Sequence, residues 1–256
     1  MALERKTFAM GVRIEHLQSD IDRVQYGPSA GHPALGAAPY KLVEHLGDGR
    51  SAYSFCMCPG GYVVAAASEP GGVVTNGMSL AARAGTNANS GLLANVQPSD
   101  LPGDDPLAGV ELQRRCERAA FELGGGAYVA PAQLVGDFLA GKPSSGPGRV
   151  QPTYPRGVSW GSVEGCLPEH VAQTLRAALP GLGGHLRGFD DAEAVLTGVE
   201  SRSSSPVRVT RDPRTLRSVS HEGLYPCGEG AGYAGGIMSA ATDGLRVAQA
   251  IVDELA

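Results

Sequence analysis

The chain has 256 residues, 42% of them hydrophobic, and a formal net charge of −5, enough for one large core or two small ones and without the basic footprint of a nucleic-acid binder. Five cysteines at irregular spacing make no secreted disulfide framework, no run reaches the roughly 18 apolar residues of a membrane span, and Met1-Ala2-Leu3-Glu4-Arg5-Lys6 opens no signal peptide. The expectation is a cytoplasmic protein with neither nucleic acid nor membrane as partner.

In chain order, residues 8–16 read as a strand, with no hydrophobic strand, glycine loop and helix before it. Residues 19–50 form a polar connection punctuated by Gly and Pro, with a short helix at 21–26. Three β-prone runs follow at 51–58, 62–68 and 72–78. Pro59-Gly60-Gly61 and Glu69-Pro70-Gly71 between them predict the turns of an antiparallel meander. Residues 91–96 read as a further strand. Asp104-Asp105-Pro106 predicts a helix at 107–123 with a negative first turn, stopped by Gly124-Gly125-Gly126. Shorter helices are expected at 131–139 and 167–179, with a flexible loop at 141–148 between them. Residues 194–200 and 206–210 read as a pair of strands, 224–227 as a buried strand, and 236–255 as the final helix. The sum is a mixed α/β fold with an antiparallel insert.

The most informative stretch is Gly223-Leu224-Tyr225-Pro226-Cys227-Gly228-Glu229-Gly230-Ala231-Gly232-Tyr233-Ala234-Gly235-Gly236. An apolar run leads into a glycine loop with one carboxylate, then into a helix rich in small residues. Glycines let a backbone approach a pyrophosphate, and a helix N-terminus attracts its charge. Gly230, Gly232 and Gly235 have the G-x-G-x-x-G spacing, yet a βαβ unit needs a second strand and a ribose-binding acid about 20 residues on. The loop is therefore either the closing half of a nucleotide site or a structural glycine turn with Glu229 solvated.

Residues 223–244 resemble the C-terminal FAD-binding segment of the flavoprotein superfamily with two dinucleotide-binding motifs. Residues 8–16, Phe55-Cys56-Met57-Cys58-Pro59-Gly60-Gly61, Asn76-Gly77-Met78-Ser79 with Arg83 and Asn87-Ala88-Asn89, Tyr128-Val129-Ala130-Pro131-Ala132-Gln133, and residues 197–208 resemble, in order, the bacterial uncharacterised FAD-dependent dehydrogenase family. The resemblance implies an FAD-dependent oxidoreductase carrying out flavin-mediated hydride transfer on a small-molecule substrate, with NADH or NADPH a candidate donor. It implies part of a Rossmann-like FAD-binding domain in residues 196–256 and a β-rich substrate insert in 1–195. Members of the family are about twice as long and begin with a Rossmann βαβ. This chain matches their C-terminal half, so an incomplete FAD site is expected, along with exposed apolar surface and self-association. The resemblance assigns cofactor contact to Gly228, Glu229, Gly230, Gly235, Gly236, Ile237 and Met238, with Glu229 on the ribityl chain. The alternative is a truncated, non-catalytic remnant or binding module that does not hold FAD alone.

Other candidates rest on residue type. Asn76, Ser79, Arg83, Asn87 and Asn89 either line a cleft, with Arg83 facing an anion, or cap turns. Arg202 and Ser203 in the serine-rich 201–206 run face flavin or substrate, or form a strand-edge turn. Cys56 and Cys58, i and i+2 on a strand, are expected on one face, as packing residues or a redox pair. Cys227 is expected in the core. His16 is a structural histidine or an acid–base group. No catalytic residue is assignable, and no spacing marks a metal site.

Overall fold

A computed structural model describes residues 1–255. Its elements are β1 (Leu3–Arg5), β2 (Phe8–Leu17), α1 (Gln18–Tyr26), β3 (Val43–His45), β4 (Ser51–Ala65), β5 (Thr75–Ser79), β6 (Asn87–Val96), α2 (Ala108–Leu123), β7 (Ala130–Leu134), α3 (Val135–Leu139), β8 (Val158–Trp160), α4 (Glu169–His185), β9 (Val195–Glu200), β10 (Val207–Val209) and α5 (Ile237–Leu255). The mixed α/β expectation holds. Two compact units emerge, one made of Met1–Ala9, Val96–Gln113 and the chain from Arg202 onward, the other of Met10–Asn95 and Arg114–Ser201.

The larger unit is built on an eight-stranded sheet in the order β3-β4-β6-β2-β9-β7-β8, with β5 added on β4. Strands β7 and β8 run parallel, while β3–β4, β4–β5, β4–β6, β2–β9 and β7–β9 are antiparallel. Central strand β2 is buried along nearly all its length although it carries Arg13, Glu15 and His16. Side chains alternate along a strand, so Arg13 and Glu15 share one face while Ile14 and His16 share the other. Gly11 is required where β2 passes β6, since a Cβ there would stand 2.0 Å from the Leu92 carbonyl oxygen. Helix α4 buries Val171, Leu175, Leu179 and Leu182 along one stripe and runs on past Pro180.

The smaller unit holds a two-stranded sheet, β1 against β10, with Leu3 opposite Val209. Arg5 ties β1 down by donating to the Asp105 and Pro102 carbonyls at 3.0 Å. The Asp105 carboxylate in turn accepts from the Leu107 amide at 2.9 Å, just ahead of α2. Helix α2 starts and ends where the acidic turn and the triple glycine predict.

Several elements differ from expectation. The meander's first two strands are one, because Pro59-Gly60-Gly61 lies inside β4 as an irregularity. The register against β6 shifts between Phe55 and Cys58 and again between Cys58 and Gly61, so the glycines bend the strand without reversing it. Residues 131–134 are strand, and only the single turn of α3 is helical, because the β7 edge is claimed by β9 and β8. Strands β9 and β10 do not pair with each other: β9 joins β2 and β7, whereas β10 joins β1. Residues 224–227 form no strand, with Leu224 and Cys227 exposed, which overturns the core placement of Cys227. Local apolar character cannot make a strand without a neighbour to pair with.

Gly60 has φ +50°, and a Cβ on it would fall 1.9 Å from the Arg83 carbonyl oxygen. Gly60→Ala is therefore expected to destabilise the larger unit by about 3 kcal/mol or more. Urea melts of the two proteins measure this, and a difference within about 0.5 kcal/mol would exclude the close approach.

Candidate functional site

The terminal glycine loop is held at both ends and free at its tip. Gly228 (φ +73°) and Gly232 (φ +86°) adopt the left-handed region open to glycine. The Gly232 amide donates to the Glu229 carbonyl and the Tyr233 amide to the Gly228 carbonyl, both at 2.9 Å, which closes the turn. Gly232 also lies against β10, where a Cβ would meet the Val207 carbonyl oxygen at 2.5 Å. The Val209 amide donates to Ala231 O at 3.0 Å. The Tyr233 hydroxyl donates to Val209 O and accepts from the Arg211 amide, each at 3.0 Å.

A buried ion pair fixes the far end of the loop. The Asp243 carboxylate on α5 accepts from Arg211 at 2.6 and 3.0 Å and from the Gly228 amide at 2.9 Å. Arg211 also donates to Pro226 O at 2.7 Å and stacks 3.7 Å above the Tyr233 ring. The hydrogen bonds from Arg211, with that from Gly228, hold the Asp243 carboxyl below the usual carboxylate range. Sequence reading missed Arg211, Tyr233 and Asp243. Its one usable signal was a lone aspartate among the small residues of the last helix.

Glu229 and Gly230 form the exposed tip. With Gln113, Arg202, Ser204, Ser205 and Pro206 they line a cleft of about 190 Å³, which unites the loop with the serine-rich turn. Lys6 lies within electrostatic reach. Burial and the charge of Arg208 push its ammonium down, and Glu229 opposes them. Ser203 is turned away, its buried hydroxyl donating to Ala9 O at 2.8 Å. Gly230 and Gly235 have no positive φ, and a Cβ on either would meet nothing within 4 Å; at Gly236 it would meet only Ser239 Oγ at 3.9 Å. Ile237 and Met238 open α5 with 89% and 77% of their surface exposed. A hydrogen-bond acceptor, bare glycine backbone, a guanidinium and an apolar helix start therefore occur together in one unit.

The other candidates lie in the larger unit, and the structure separates them. Asn76 is exposed and accepts from the Gly77 amide at 2.7 Å, and Ser79 donates to Pro59 O at 2.8 Å. Arg83, at φ +47°, lines a separate groove with Gln18 and Asp22. Asn87 and Asn89 are buried in a polar layer that sequence reading did not anticipate. There Arg13, 0% exposed, bonds both Glu200 carboxylate oxygens at 3.0 and 3.1 Å, Asn89 Oδ1 at 2.9 Å and Cys56 O at 2.9 Å. Gly77 covers the guanidinium so closely that its Cβ would stand 1.9 Å from Nη2. Beside it Glu15 accepts from Asn87 at 3.0 Å and from the Thr153 hydroxyl at 2.6 Å. Burial pushes the Glu15 carboxyl up, and these bonds oppose it.

Cys56 and Cys58 do not share a face. Cys56 takes φ +43° at the first register shift, which breaks the alternation and leaves it exposed. The Cys58 thiol donates to Cys56 O at 3.3 Å and faces Arg13 Nη2 at 3.6 Å. Among the described residues no group of three His, Cys, Asp or Glu side chains is arranged for a metal ion, and no helix is long and apolar enough to cross a membrane.

A family model described as "FAD-dependent protein, C-terminal domain-like" matches residues 7–203. An uncharacterized protein of Clostridium beijerinckii is 49% identical over 257 residues, covering 99% of this chain and 48% of its own length. The chain thus spans about half the length of the curated relative it matches, and that match takes in the terminal loop beyond residue 203.

Proposed function

Because the chain belongs to the FAD-dependent protein, C-terminal domain-like family, we propose that it forms part of an FAD-dependent oxidoreductase and that the loop at Gly228–Gly236 contacts the cofactor. The observation that carries this reading is the pair Gly230 and Gly235. Neither backbone conformation nor neighbouring atoms in the chain demand glycine there, so the bare backbone at the loop is open to close approach of a ligand. Glu229 then accepts hydrogen bonds from the hydroxyls of the ribityl chain. The amides of Gly230, Gly235 and Gly236 face phosphate or the ring edge, and Ile237 and Met238 offer apolar contact. Arg202, which lines the same cleft as Glu229, offers a donor to anionic oxygen. When bound, FAD supplies the hydride chemistry, and the protein supplies orientation and exclusion of water. The substrate is a small molecule, with NADH or NADPH as the electron donor. Residues 196–256 serve the cofactor, and most of 1–195 serves the substrate side.

A second reading, in which this chain holds no FAD alone, is favoured by the cleft's size. At about 190 Å³ it falls below the roughly 300–1,000 Å³ of ordinary ligand pockets and suits only a segment of a dinucleotide. Fluorescence titration of the purified chain with FAD separates the two. The first reading expects saturable quenching, weakened about tenfold in Glu229→Ala. Quenching indifferent to that substitution would count against Glu229. No quenching at all would support the second reading.

A further inference from the structure

In the smaller unit a cleft of about 600 Å³ opens beside β10, a volume within the range of small-molecule sites. Arg208, Arg211, Arg214 and Arg246 line it, against a single lining carboxylate, Glu4. Two of the arginines are already satisfied. Arg211 is held by Asp243, and Arg208 donates to Glu4 at 2.9 Å and to Gly232 O at 3.3 Å. The Tyr233 ring packs against both, 3.7 Å from the Arg211 guanidinium and 5.3 Å from that of Arg208. These side chains form a fixed wall.

Arg214 and Arg246 differ. Both are exposed, and among the described residues neither guanidinium has a hydrogen bond or an ion pair. They act on Asp212 and Asp243 only through space. The turn that carries Arg214 is pinned at its base: the Asp212 carboxylate accepts from the Arg214 and Thr215 amides at 2.9 and 2.8 Å, and the Asp212 amide donates to Arg217 O at 2.8 Å. Arg246 stands on α5, one turn after Asp243. Like charges gathered at one cleft repel, and an anion among them relieves the repulsion. Thr210 adds a hydroxyl to the same lining. The donors therefore come from three segments, the end of β10, the 212–217 turn and α5. A carboxylate accepts best near its own plane, whereas phosphate oxygens point tetrahedrally and accept from several directions.

We propose that this cleft binds the diphosphate group of a nucleotide, with one phosphate on Arg214 and the other on Arg246. The proposal uses neither Glu229 nor the loop glycines, and so stands apart from the contacts assigned to them above.

Calorimetry on the full 256-residue chain at low salt tests it with inorganic pyrophosphate, orthophosphate and malonate. Pyrophosphate is expected to bind at about 0.1 mM or tighter, and orthophosphate and malonate about tenfold more weakly. The double variant Arg214→Ala/Arg246→Ala should weaken pyrophosphate by about a hundredfold. A control double, Arg156→Ala/Arg187→Ala, removes the same charge from exposed positions of the larger unit and should leave binding unchanged. Equal weakening by the two doubles, or no heat with pyrophosphate up to about 10 mM, would overturn the site. Malonate as tight as pyrophosphate would overturn the phosphate assignment. ADP and FAD then identify the source. Loss of FAD quenching in the presence of pyrophosphate assigns the cleft to the cofactor's own diphosphate, and ADP binding that leaves FAD quenching intact assigns it to a separate nucleotide.

Discussion

Arg13→Met is expected to destabilise the larger unit by about 3–5 kcal/mol, the usual consequence of leaving a buried charge without its partner. Glu200 is 3% exposed, and both its carboxylate oxygens depend on Arg13 for hydrogen bonds. Asn89 would lose its donor as well. The same pair makes stability depend on pH. Burial pushes the Glu200 carboxyl up to about 7, with Arg13 opposing. Such a group binds its proton more tightly folded than unfolded, so its contribution is full below the unfolded value near 4.5 and is lost as pH rises towards 7. Relative to Glu200→Gln, the wild-type protein should lose on the order of 3 kcal/mol across that window. Urea melts at pH 4.5, 6 and 7.5 measure both effects. An Arg13→Met midpoint within about 1 kcal/mol of wild type, or parallel pH profiles for wild type and Glu200→Gln, would show that the layer is hydrated.

Asp243→Ala should loosen the smaller unit by about 2–4 kcal/mol, since it strands a nearly buried Arg211 and frees the Gly228 amide. The sign with pH is opposite to that of Glu200. Asp243 is held below the usual carboxylate range, so its contribution is present at neutral pH and disappears as pH falls through its folded value. Asp243→Asn should flatten the acid limb of the unfolding profile. Hydrogen exchange reads the local effect directly: the amides of Gly228 and Tyr233 should lose protection in Asp243→Ala. Unchanged protection there would mean that β10 alone fixes the loop.

The sequence was legible where a local signal had no rival. Asp104-Asp105-Pro106 and the triple glycine bounded α2, and the strand-like run 8–16 marked the central strand. It misled where partners decide. Pro59-Gly60-Gly61 has turn chemistry, but β5 and β6 pair with β4 on either side of it and hold the chain extended. Residues 206–210 were strand-like, yet their partner proved to be Leu3–Arg5, nearly the whole chain away. Within the candidate site, Glu229 and the glycines stood out by composition, and the cleft joins them to Arg202. The roles of Arg211, Tyr233 and Asp243 were not legible, because each acts through a residue distant in sequence: Arg211 and Tyr233 meet 22 positions apart and Arg211 and Asp243 32 apart. Arg13 and Glu15 drew no separate reading from the sequence, and only the strands around them reveal a buried polar layer.

The pairing of β1 with β10 has a consequence for how the polypeptide is made. Glu4 and Arg208 meet 204 positions apart. At about 5–20 residues per second, a ribosome releases Leu3–Arg5 on the order of ten seconds or more before Val207–Val209 exists. Throughout that interval the first strand has no edge to bind, and a two-stranded sheet is marginal even when complete. Leu3–Arg5 must wait through translation of the 204 positions that separate Glu4 from Arg208 before its partner exists.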